Sequence, residues 1–307
     1  MNWIGNKPGT GRHLVKVVVA LLVIVSTTML TITISRNPGI TTTHVSTRHR
    51  SLGHGSPRHA SPVPPLALPS KALPIQPFPS ALAAQITTLE AHKRFFYHGN
   101  VHRPEVALTF DDGPSPVYTP QVLSILQKYH LKATFFDIGS MVEAYPELAK
   151  AERQAGHIVG NHTFTHADLP ILSPAAIKTQ IQQSSDEIER ATGVRPTFIR
   201  PPYGDVDADT LKEINMLALT TVLWNNEAQD WASPGTSVIV TRILDMASNG
   251  AIILLHDGGG LRSQTVEALP TIIEQLHGHG YTFVKIDELV AHMEEQKNVA
   301  SLPSAHR

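Results

Sequence analysis

From residue 106 onward the chain alternates short apolar runs with longer amphipathic stretches, a rhythm that admits few folds beyond parallel strands covered by helices in one sheet or barrel. Runs at 106–110, 133–138, 157–160, 197–200, 219–224, 251–255 and 281–285 are predicted strands, and seven of them suggest a barrel. The clearest helix between them is 174–192, where Ser173 can cap the first turn, Pro174 suits the first position and Gly193 ends it. Its Ile177, Ile181 and Ile188 fall on one side. A second helix, 265–277, carries Val266, Leu269, Ile273 and Leu276 at helical spacing, with an interruption expected at Pro270.

Ahead of this region, Lys7, Arg12, His13 and Lys16 precede about eighteen uncharged, mostly apolar residues, 17–34, which stop at Arg36. No small-x-small cleavage site comes after them. Residues 1–36 therefore read as a cytoplasmic tip and membrane anchor, with a cleaved signal segment as the alternative. A buried soluble helix fits less well, since Thr27, Thr28, Thr31 and Thr33 are β-branched and uncapped. Basic residues before the span place the chain beyond it outside the cytoplasm, so a single-pass cell-membrane protein with an extracytoplasmic domain is expected, or a secreted one after cleavage. Residues 37–100, crowded with Pro, Ser, Thr and His in their first half, read as a spacer. His44, His49, His54 and His59 fit spacer composition better than a metal site. The main domain is placed at 101–295, and 296–307 is a tail.

Composition narrows the chemistry. Lys plus Arg (25) nearly equals Asp plus Glu (26), so the chain lacks the basic field on which nucleic-acid binding relies. With no cysteine, any metal must be held by His, Asp or Glu. The polar residues that interrupt the apolar rhythm are the informative ones. Asp111, Asp112, His162, Arg200, Asp230 and His256 each come directly or a few residues after a predicted strand, and in a β/α barrel those ends share the face that carries active sites.

Two His four residues apart on a helical turn would present both imidazoles to one point, the spacing of His162 and His166. With 17 His in the chain one such pair is expected by accident, and a second pair exists in His98 and His102. That second pair lacks a nearby carboxylate and a strand end, so it reads as coincidence. His162 and His166 stand in NHTFTH after a strand, and TFDDGP can supply a carboxylate as third ligand, leaving coordination positions open as in a catalytic site. Neighbouring side chains on a strand project to different sides, so Asp111 and Asp112 are expected to divide into a metal ligand and a base. Asp-Gly-Pro is also ordinary turn chemistry. His256 can protonate a leaving group with Asp230 as its partner, Asp257 pointing elsewhere. Arg200 can pair with a carboxylate, and the Tyr203 amide can donate to an oxyanion. Trp231, Trp224 and Leu254 can wall a pocket, although Trp224 reads as core.

Together, TFDDGP at 109–114, HTFTH at 162–166, RPPY at 200–203, DW at 230–231 and LLHD at 254–257 resemble, in order, the motifs of the polysaccharide deacetylases of carbohydrate esterase family four, the NodB-homology proteins. The resemblance covers about 101–295. It implies a distorted (β/α)7 barrel in which Asp112, His162 and His166 bind zinc or a similar divalent ion, cobalt and manganese being alternatives. It also implies Asp111 as general base, His256 as acid, Arg200 orienting the base, Asp230 tuning His256, the Tyr203 amide holding an oxyanion, and Leu254 with Trp231 lining an acetyl pocket. Glu227 stands where the family commonly has Asp, and Gln229 where a basic residue is frequent, which touches substrate contacts more than chemistry.

The expected activity is removal of N-acetyl groups from a polysaccharide such as peptidoglycan or a chitin-like glycan. The rivals are an O-acetyl esterase on xylan, a wall-binding module without catalysis, and a glycoside hydrolase using Asp111 and Asp112. The last needs its carboxylates about 5–9.5 Å apart across the bond, which neighbours on a strand achieve poorly.

Overall fold

A computed structural model describes residues 79–300, without the side chains of Ala81 and of residues 294–300. The anchor, the first part of the spacer with its four His, and residues 301–307 lie outside the described residues.

The folded unit starts with helix α1 (Ser80–Ala91) and strand β1 (Phe95–Phe96), inside the stretch expected to be spacer. Leu82, Ile86 and Phe95 are buried, which a solvated linker would not allow. There follow β2 (Glu105–Asp111), α2 (Thr119–Lys128), β3 (Thr134–Asp137), α3 (Gly139–Ala144), α4 (Pro146–Gln154), β4 (Ile158–Asn161), α5 (Pro174–Thr192) and β5 (Phe198–Ile199). Then come α6 (Ala208–Met216), β6 (Thr220–Val222), β7 (Asn226–Glu227), α7 (Thr236–Asp245), β8 (Ala251–His256), α8 (Ser263–Gly278), β9 (Thr282–Phe283) and α9 (Ile286–Ala300). All seven expected strands form, and β1 and β7, two residues each, are added. Helix α5 is capped as its sequence requires, with Ser173 Oγ accepting from the Ala176 amide at 3.3 Å and Gly193 left-handed at φ 75°. Helix α8 continues through Pro270 without a break, correcting the expected interruption.

Every strand pairing is parallel, in the order β1-β6-β5-β4-β3-β2-β8-β7, while β9 takes the start of the β2 edge whose end pairs with β3. Strands β6 and β7 stand six inter-strand steps apart in that order, about 29 Å if the sheet were flat. Yet only Leu223, Trp224 and Asn225 join them, a span of at most about 14 Å. The sheet must therefore curl, and it is an α/β half-barrel of parallel strands.

Both faces of the central strands are covered, which is why they read as unbroken apolar runs. Val106, Leu108 and Phe110 of β2 and Ile253 and Leu255 of β8 pack outward against α2, α7 and α8. Their neighbours Ala107 and Ile252 turn to the other face, with Phe136, Val222 and Ile286. Each buried Val, Leu, Ile or Phe here contributes roughly 1.5–3 kcal/mol, so the strand ends that carry polar groups rest on a stiff support.

Candidate active site

The pleat explains how distant residues meet. Phe110, Asn161, Ile199 and Leu255 face the helices, so the next residue on each strand, Asp111, His162, Arg200 and His256, turns to the inner face at the same end of the sheet. Asp112 was expected to project away from Asp111. Instead its backbone is left-handed at φ 70°, which swings its carboxylate back to the same side. The fold leaves no choice here: a Cβ at Gly258 would sit 1.9 Å from the Asp112 carbonyl oxygen, so only glycine can pass.

The two His do not share a helical turn, contrary to the sequence expectation. Segment 162–168 is a loop in which Thr163 and His166 are left-handed, at φ 64° and 59°. Side chains rather than a helical ladder hold it: Asn161 Oδ1 accepts from the Thr163 amide at 2.7 Å, and Gln180 Oε1 accepts from the amides of Phe164 and Thr165 at 3.0 and 2.9 Å. His162 Nδ1 donates to the Arg200 carbonyl at 2.6 Å, which fixes the tautomer and leaves Nε2 with its lone pair toward Asp112.

Around Asp112 Oδ1, His166 Nε2 lies at 3.2 Å and His162 Nε2 at 3.5 Å, and Asp111 Oδ2 is 3.7 Å from His162 Nε2. Tetrahedral coordination with bonds of about 2.0–2.1 Å places ligand atoms about 3.3 Å apart. Asp112 Oδ1 is buried without a hydrogen-bond partner among the described residues, an orphaned acceptor that a cation would satisfy. Asp112, His162 and His166 are the described group of three whose donor atoms lie within 4.8 Å of one another, a possible metal site. Burial alone would push the Asp112 carboxyl up, but the imidazoles around it, His162 first, with His256 and His166, hold it well below the usual carboxylate range.

Arg200 is fully buried and every donor group is used. Nη1 donates to Asp111 Oδ1 at 2.7 Å and Thr109 Oγ1 at 2.8 Å, Nε to the Val222 carbonyl at 3.1 Å, and Nη2 to the Leu223 carbonyl at 3.2 Å. The guanidinium lies over the rings of Phe136 and Trp224. On the opposite side, Asp230 Oδ1 meets His256 Nδ1 at 2.7 Å, while Oδ2 accepts from the His256 amide at 2.9 Å and from Thr265 Oγ1 at 2.7 Å. Burial would lower the His256 imidazole, but the hydrogen bond and charge of Asp230, with Asp111 and Asp112 nearby, raise it above its ordinary value.

At the rim, the exposed Tyr203 ring makes an edge contact with His166, 4.8 Å between centroids, and Tyr203 itself is left-handed at φ 62°. Trp231 is 53% exposed, Leu254 is buried on the inner face two residues before His256, and Trp224 packs half-buried against two core clusters. Gln229 Oε1 accepts from Arg242. His98 bonds the Gly99 carbonyl, and the amide of His102 bonds Asn100. Neither joins the site.

Thr109, Thr265, Asn161 and Gln180 escaped sequence reading, since lone polar residues of these types carry no spacing signal. So did a second acidic group. Asp137, Glu152 and Asp257 are fully buried, and a Cβ at Gly113 would meet both the Asp257 and Asp137 carboxylates. Asp257 does point away from His256, as expected, accepting from Thr119 Oγ1. Burial pushes the Asp137 carboxyl up to about 7, and burial with the charges of the other acids drives Glu152 and Asp257 up as well. Asp257 was expected only to point elsewhere, and Asp137, a charge inside the apolar run ATFFDIG, could have been noticed beforehand.

A family model described as polysaccharide deacetylase matches residues 98–222. A peptidoglycan-N-acetylglucosamine deacetylase of Bacillus cereus is 41% identical over 187 residues, covering 60% of this chain and 87% of that protein. Among solved structures, the Bc1960 peptidoglycan N-acetylglucosamine deacetylase, in complex with a hydroxamate-type benzamide, is similar at TM-score 0.64 and 33% identity, over 66% of this chain and 95% of that one. BA3943 of Bacillus anthracis, described as a CE4 family pseudoenzyme, is similar at TM-score 0.62 and 32% identity, over 65% and 70%.

Proposed function

The chain belongs to the polysaccharide deacetylase family and is a hydrolytic polysaccharide N-deacetylase, and on that premise we propose that it removes N-acetyl groups from peptidoglycan in a metal-dependent reaction. The observation that carries the reading is the joint presence of the Asp112, His162 and His166 donors, the Arg200-held Asp111 and the Asp230-held His256 at one end of the sheet.

Asp112, His162 and His166 would hold a divalent cation, zinc first, with cobalt or manganese as alternatives. When bound, such a cation supplies Lewis acidity and acidifies water. Asp111 takes a proton from the attacking water, and Arg200, donating to Oδ1 at 2.7 Å, keeps that carboxylate aimed. The Tyr203 amide donates to the oxygen that becomes negative as the acetyl carbon turns tetrahedral. His256, whose imidazolium form Asp230 favours, then gives its proton to the departing nitrogen, so acetate and a free amino sugar result. Leu254 and Trp231 wall the acetyl methyl.

A loss of catalysis, as in the pseudoenzyme relative, is disfavoured because each ligand, base and acid position is filled here. Peptidoglycan is favoured over chitin-like oligosaccharides and xylan by the names of the relatives and by an extracytoplasmic placement, which rests on the basic and apolar residues at the start of the chain. No helix among the described residues is long and apolar enough to cross a membrane. The test is acetate release from peptidoglycan, acetylated chitooligosaccharides and acetylated xylan, before chelation, after it, and with zinc restored. Release that survives chelation defeats the metal-dependent reading, and xylan as the sole substrate defeats the N-deacetylase reading.

A further inference from the structure

One carboxylate at the mouth has no part in the chemistry above. Glu227 closes β7 opposite Leu254 of β8, on the inner face that also carries His256. Its two oxygens are divided between two indoles: Trp224 Nε1 donates to Oε2 at 3.1 Å and Trp231 Nε1 to Oε1 at 3.3 Å. An indole offers a single donor and no acceptor, so a carboxylate can bridge two of them with one oxygen each.

The two rings differ in what else holds them. Trp224 is wedged, since a Cβ at Gly204 would come within 2.8 Å of it, and the Arg200 guanidinium lies 5.5 Å from its centroid. Trp231 is 53% exposed, and Arg262 reaches its backbone carbonyl rather than its ring. An exposed ring with no further side-chain tether samples several rotamers.

Resting on the deacetylase reading, we propose that Glu227 is a positioning residue that clamps the Trp231 indole to the immobile Trp224, holding it as a fixed wall beside Leu254 and His256 and so limiting the acyl group the site accepts. Loosening the wall admits longer acyl chains and weakens the grip on acetyl.

Glu227→Gln keeps size but puts an NH2 donor where one of the two oxygens stood, so in this arrangement one indole N–H loses its acceptor, and Glu227→Asp is one methylene too short to span both. The full chain carrying Trp3→Phe leaves Trp224 and Trp231 as its emitters. In that background both variants raise acrylamide quenching of tryptophan emission. Their preference for N-acetyl over N-propionyl chitooligosaccharide in kcat/KM falls about three- to tenfold, with KM rising more than kcat falls. Trp231→Phe, which deletes the N–H without touching β7, shows the same loss of acyl preference and serves if the Glu227 variants fail to fold. Unchanged quenching overturns the tether, and an unchanged acyl preference overturns the wall. If the parent chain releases no acetate or propionate at all, the deacetylase reading has failed, and quenching alone still decides whether Glu227 holds Trp231.

Discussion

Two groups of three carboxylates, one on the inner face of the sheet and one beneath the helices, are partnered differently. Asp111, Asp112 and Asp230 face inward and each has a cationic or imidazole partner, respectively Arg200, the two His of the loop, and His256. Asp137 and Asp257 face outward, beneath the helices, and with Glu152 of α4 they have each other. Asp257 is the very next residue after His256. A step of one residue along a strand thus moves a side chain from a mouth rich in positive partners to a buried layer whose charged neighbours are mostly other acids. Acidity is set by that placement, down for Asp112 and up for the outer three.

The largest effect should come from emptying the inner group. Asp112→Ala or His162→Ala is expected to lower acetate release on the order of a thousandfold or more, with bound zinc lost in elemental analysis. An active, zinc-free variant would break the division between the two groups. Next, Asp111→Asn, which keeps shape but cannot accept the proton, should cost about 10²–10⁴-fold in kcat while zinc content is retained.

Asp230→Asn tests the imidazole side. Asp230 raises His256, and His256 must be protonated to act as the acid, so activity is lost as pH rises through its pKa. Removing the charge lowers that pKa, and the alkaline limb of the kcat profile should move to lower pH. A limb that stays put would separate His256 from the proton transfer.

The outer group is tested by stability rather than rate. Below the unfolded carboxyl values, about 4, both states are protonated and the ionisation of the three acids contributes nothing to stability. Above that pH the unfolded chain releases protons that the folded chain retains, until about 7 for Asp137, with Glu152 raised by burial and its acidic neighbours as well, so stability falls as pH rises through this window. Glu152→Gln should therefore stabilise the protein at pH 8 by on the order of 1–2 kcal/mol, a Tm gain of about 2–8 °C, and have little effect at pH 4. A loss at pH 8 would mean that the acids are compensated by something outside the group. The smallest effect belongs to neither group: Ser173→Ala, removing the α5 cap, should cost about 1 kcal/mol at every pH in thermal melts.

The strands were readable because β2 and β8 are buried on both faces and so uninterrupted in apolar character. β1 and β7 were not, since two residues carry no period. The reactive residues were readable for a related reason, as polar residues that end apolar runs. How the two His converge was not, because spacing by four fits a helical turn and a left-handed loop equally well, and Gln180 on α5 decides between them.

From its own order of residues, this chain determined the parallel strands, the capped α5, and which side chains stand at the strand ends. Those depend on period and on neighbours a few residues away. Tertiary structure decided the left-handed turn at Asp112, the pairing of Glu227 with two indoles, and the meeting of Asp137, Glu152 and Asp257. Each of these depends on contacts between segments distant in sequence, such as the approach of Gly258 to Asp112, and those contacts set the pKa values and the side-chain directions.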